Sequence, residues 1–172
     1  MKTRLFFLSL FLPLCVPTQA QNSGDTKAVL IGPWKIEANF TKAQKFERCS
    51  MSRTVENGLE ATFVRNESGT SLVMTSPRWK LDNGKTYAVE FAGGKATWKA
   101  DVSATADTVN VALTNDRFNR ALRNANRFEV RGAGATLKIP LDKSGAALAR
   151  LERCFENNRK AGETNPFVAP QP

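Results

Sequence analysis

LDKSGAALARLERCFENNRK, residues 141–160, places Ala147, Leu148, Leu151, Cys154 and Phe155 at the spacing that gathers apolar side chains on one helix face. It predicts a helix over about 143–160 that closes the folded domain. Asp142 or Ser144 can cap its start by accepting a hydrogen bond from a free backbone N–H, and Gly162 stands just past its end. Cys154 belongs to the apolar stripe, so the helix turns a thiol toward the core.

What that thiol meets follows from the N-terminus. Lys2 and Arg4 precede an apolar run over residues 5–16, and Thr18-Gln19-Ala20 offers the small-residue site at which a secretory signal is cut. The run is too short to span a bilayer, and no later stretch is apolar enough to do so. Residues 1–20 therefore read as a signal peptide directing the chain to the periplasm or out of the cell. Cys15 leaves with the signal, which makes Cys49 the one partner for Cys154. An oxidising compartment favours their disulfide. It would close a loop of about 100 residues, for which chain entropy gives roughly 4–5 kcal/mol.

Before the helix the hydrophobic period is two. Trp34, Ile36, Ala38 and Phe40 alternate with polar residues, and residues 46–55 carry Cys49 to an Asn57-Gly58 turn. Leu59, Ala61 and Phe63 follow, then Leu72 and Met74. Tyr87, Val89 and Phe91 face Ala96, Trp98, Ala100 and Val102 across Gly93-Gly94. Val109 and Val111, Phe128 and Val130, and Leu137 and Ile139 supply further strands. Polar residues between the apolar ones imply antiparallel sheet with one wet face. The expected architecture is α+β, mainly β: an antiparallel sandwich or partly closed barrel of about 8–9 strands, forming one domain over residues 33–161. Residues 21–32 read as a flexible lead-in, and residues 162–172, rich in proline and without periodicity, as a disordered tail.

One stretch breaks the strand texture. TNDRFNRALRNANR, residues 114–127, predicts an inserted helix over about 115–126, capped by Thr114 or Asn115. Phe118, Ala121, Leu122 and Ala125 fall on one side; Arg120, Arg123 and Arg127 fall opposite, with Arg117 on the flank. Guanidinium forks bind phosphate and carboxylate bidentately, so these four arginines are the candidate anionic-ligand face. The plainer reading is a solvated face whose apolar side covers the sheet. A net charge of +9, or +7 without Lys2 and Arg4, suits anionic partners and equally suits solubility alone.

Absent residues exclude much chemistry. The chain has no histidine, hence no imidazole base, and its cysteines form no CxxC ligand pair. No phosphate-cradling glycine loop and no dinucleotide fingerprint occur. No cofactor or metal is expected, and no enzymatic activity. Glu152 and Glu156 read as solvent-facing, the latter paired with Lys160. Nucleic acid is disfavoured, because the chain is exported and its arginines are not interleaved with aromatics. Trp34, Trp79, Trp98 and Tyr87 read as core, with a ligand cleft as the other possibility.

In order, these features are an export signal, a strand tryptophan (Trp34), a cysteine in the second strand (Cys49), and ATLKIPLDKSGAALARLERC ending at Cys154. This layout resembles small exported proteins of alphaproteobacteria and, loosely, the invasion-associated locus B family. There too a strand passes through a Leu-Ser-Gly-type junction, here Leu141-Asp142-Lys143-Ser144-Gly145, into an Ala/Leu helix. The resemblance spans residues 34–154; this chain lacks that family's central Gly-Cys pair and has fewer cysteines. It implies an envelope or host-interaction role without a defined reaction.

The expected function is thus a non-catalytic periplasmic or secreted binding protein whose partner is an anionic protein, lipid headgroup or glycan of the envelope or host. An inhibitor of an exported enzyme, presenting the loop at Asn57-Gly58, Asp82-Asn83-Gly84 or Gly93-Gly94, is the alternative. An unusual hydrolase comes third.

Overall fold

A computed structural model of the chain describes residues 27–162. The predicted signal peptide and the tail beyond residue 162 lie outside the described residues.

Among the described residues, ten strands form a single antiparallel sheet, with two α-helices packed on it. Strands β1 (Val29–Ile31), β2 (Trp34–Phe40), β3 (Phe46–Thr54), β4 (Glu60–Asn66) and β5 (Gly69–Thr75) follow one another as a meander. The chain then crosses to β6 (Thr86–Gly93) and returns through β7 (Ala96–Ala104) and β8 (Thr108–Ala112), so that β8 pairs with β5. Helix α1 (Asp116–Asn124) leads into β9 (Arg127–Arg131) and β10 (Thr136–Pro140), with β9 against β6. Helix α2 (Ser144–Gly162) follows. The tenth strand is β1, which lies within the stretch expected to be a loose lead-in. Gly32, at φ +57°, turns it back so that Val29, Leu30 and Ile31 pair with Ile36, Lys35 and Trp34. Three residues are too few to display a period of two.

The sheet is open, its edges being β1 and β10, but it curls enough for β2 and β3 to reach the end of β10. Trp34 Nε1 donates to the Asp142 carbonyl at 3.0 Å, and Arg53 Nη1 donates to the Pro140 carbonyl at 2.7 Å. Side chains rather than a strand ladder bridge the gap, so the barrel is partly closed.

The alternating positions point inward as expected. Trp34, Ile36, Met51, Ala61, Phe63, Leu72 and Met74 are buried, and α2 packs on β2, β3 and β4 with Ala147, Leu151, Cys154 and Phe155 buried. Cys49 and Cys154 are joined by a disulfide that spans 105 residues and ties α2 to β3. Asp142 does not cap α2, because its carboxylate accepts from Arg53 Nη1 at 3.1 Å. The helix start is instead shaped by Lys143 at φ +61° and a Ser144 N–H bond to the Leu141 carbonyl. Gly162 falls within the helix rather than after it.

Candidate functional site

Asn115 caps α1 as its sequence position predicts: its side-chain oxygen accepts from the Phe118 N–H at 2.9 Å. The apolar side of α1 is seated on β6 and β7. The Phe118 ring lies 5.7 Å from both Trp98 and Phe128 and 6.2 Å from Phe91. Gly93 leaves room for Leu122, whose methyl would stand only 3.4 Å from a Cβ there. Holding that side down turns Arg117, Arg120 and Arg123 out to solvent. Among the described residues, no carboxylate pairs with any of the three.

Arg127 is not on that helix. α1 ends at Asn124, Ala125 is extended at ψ 145°, and Arg127 opens β9. The alternation of Phe128 and Val130 inward sends Arg127, Glu129 and Arg131 to the outer face together. There Arg127 Nε pairs with Glu129 at 3.1 Å, and Arg131 bridges Glu129 and Glu90, each at 2.9 Å. The hydrogen bond from Arg131, aided by the nearby positive charges, holds the Glu129 carboxyl below its ordinary pKa. The same bond, with that to Glu90, raises the Arg131 pKa. The structure therefore divides the four arginines: three unpaired on α1, and one within a charge-balanced ladder on β9.

The carboxylates of α2 also find other partners than expected. Glu152 accepts from Arg65 Nε of β4 at 3.1 Å, and Glu156 pairs with Arg159 at 3.0 Å. The first ties α2 to β4, and the second lies within α2 itself.

A second feature matches the other possibility that the sequence left open for two of its aromatics, Trp79 and Tyr87. Where β5 and β7 end and β6 begins, the inner face of the sheet holds a cavity of about 410 Å³, roofed by Trp79 and Leu81 and walled by Tyr87, Val102, Val109 and Leu137. Trp34 is fully buried and Trp98 stacks on Phe91 at 5.2 Å, as core aromatics do. Trp79 and Tyr87, only half-buried, line the cavity instead. Their signal in the sequence was that Trp79 and Leu81 sit in a turn-rich stretch between strands, where core residues are uncommon. Among the described residues, no cluster of His, Cys, Asp or Glu can hold a metal ion, and no helix is long and apolar enough to cross a membrane.

A meander, a reversed second half and a terminal helix laid back on the first strands have a counterpart in a solved structure. The crystal structure of invasion associated protein B from Bartonella henselae superposes with a TM-score of 0.56, over 74% of this chain and 95% of that one. The two share a fold. Their sequences are 18% identical, so the likeness concerns the fold alone. No protein-family model and no curated protein matches the chain.

Proposed function

We propose that this chain is a non-catalytic exported binding protein that grips an anionic partner of the envelope or host through Arg117, Arg120 and Arg123. The observation that carries the reading is three exposed guanidinium groups on successive turns of one short helix, none neutralised by a described carboxylate. The arginines of β9, by contrast, are paired with Glu129 and Glu90. The disulfide suits an oxidising compartment, and the fold shared with an invasion associated protein is compatible with an envelope or host-contact role.

The test is capture of a partner from envelope extract, washed at low and at moderate salt. Three baits are compared: the native domain, R117E/R120E/R123E, and R127E. The native bait should retain a partner that moderate salt releases, since exposed charge pairs are screened. The triple variant should lose it, whereas R127E should keep it, because Arg127 is already paired. Retention that survives both salt and the triple reversal would reduce α1 to a solvated cover.

A further inference from the structure

We propose that the cavity beneath Trp79 binds an acyl chain bearing an acidic head, with the chain inside and the head at Arg78. The cavity lies in the mouth of a partly closed barrel, where small-molecule sites commonly occur, and its volume of about 410 Å³ is in the range of such sites. Met74, Val102, Val109 and Val130 give the wall almost no hydrogen-bonding groups, so water is held poorly and alkyl groups well. At the ~30 Å³ that one water occupies in the liquid, the space takes on the order of ten methylene-sized groups.

Two further observations set the ligand's polarity and its entry. A recess of about 400 Å³ shares the Trp79 and Leu137 walls and presents Arg78 and Lys138 against a single carboxylate, Glu56. Arg78 Nη1 donates to Asn57 Oδ1 at 3.2 Å and has no carboxylate partner among the described residues. An apolar slot beside an electropositive recess, with Trp79 and Leu137 lining both, matches an anionic amphiphile better than a neutral oil. Entry is lateral. Strand β6 pairs with β9 only from Glu90 to Gly93. Residues 86–89 therefore have β7 on one side, and on the other the cavity reaches the turn at Gly132, Ala133 and Ala135.

Fatty acids and lysophospholipids share this chemistry, and the experiment separates them. The full mature chain is titrated with laurate, lauroyl lysophosphatidylglycerol and dodecanol, following tryptophan fluorescence, with Trp79→Phe assigning the signal. At least one acidic ligand should give a saturable blue shift, the tighter one naming the source. Dodecanol should bind about tenfold more weakly, the loss of one charge-assisted hydrogen bond. Arg78→Ala with Lys138→Ala should bring the acids to the dodecanol level. Ala135→Trp fills the mouth from an exposed turn, so the fold is retained while binding is lost. No saturable shift with any ligand overturns the proposal. So does laurate binding to a folded Ala135→Trp protein as to the native one, and so does dodecanol binding as tightly as the acids.

Discussion

Arg53 does at one position what no strand ladder does: it joins β3 to the end of β10, seven strands away in the order of the sheet. Its Nη1 reaches both the Pro140 carbonyl and the Asp142 carboxylate, and its guanidinium lies 5.2 Å from the Trp34 ring centroid. The hydrogen bond from Arg53 lowers the pKa of Asp142 in the folded state. A carboxyl depressed by folding adds stability above its unfolded pKa, and that stability is lost as pH falls through the folded value. Unfolding free energy should therefore decline as pH drops below about 4, the ordinary carboxylate range. Asp142→Asn should flatten part of the decline, leaving the share of Glu129 and Glu156, whose pKa values are also lowered. Urea midpoints taken from pH 6 to pH 3 check this, and parallel curves for the two proteins would remove Arg53 as the cause. Asn115→Ala should cost about 1 kcal/mol in the same assay, the usual loss for an N-cap. The two positions differ in legibility for a physical reason. The cap at Asn115 is satisfied three residues away and so shows in the sequence. The partner that takes Asp142 from its own helix lies 89 residues away.

At the scale of elements, each helix was visible by its period, but its end was not. Apolar spacing continues through Ala125, yet the backbone leaves the helix there because Phe128 and Val130 are needed on the strand that covers β6. That one change of period removes Arg127 from the arginine face and gives it to Glu129. How α1 meets α2 was equally hidden. Gly145 sits in the first turn of α2, and a Cβ there would stand 3.2 Å from the Arg123 carbonyl oxygen. In a helix, replacing glycine normally stabilises by up to about 1 kcal/mol. Against a backbone carbonyl the crowding should win, so Gly145→Val is expected to cost about 1–3 kcal/mol. A variant more stable than the native protein in urea would show that α1 yields without loss. Since α1 carries Arg117, Arg120 and Arg123, the same variant should also weaken capture of an anionic partner.

For the whole molecule, alternation told which residues face inward but not which strands are neighbours. The pairing of β5 with β8 needs an excursion through β6 and β7, and nothing local in residues 77–107 records it. The full wall of the cavity beneath Trp79 was hidden for the same reason, since it comes from six strands and two loops. The disulfide was legible because elimination left one pair, and its place explains its use. β10 delivers the chain to α2 at one edge of the sheet, yet α2 packs on β2, β3 and β4 near the other. The bond fixes that return across 105 residues. Cys154→Ser, or reduction, should therefore lower the unfolding free energy by about 2–5 kcal/mol. The fold itself should persist at room temperature, because Leu151 and Phe155 remain buried and Arg65 still holds Glu152. Far-ultraviolet dichroism unchanged at 25 °C, with a lower melting midpoint, is the expected pair of results. Titration of the native protein should find no free thiol at Cys49 or Cys154. Two reactive thiols would sink the tether, and equal midpoints with and without reductant would mean that packing alone brings α2 back across the sheet.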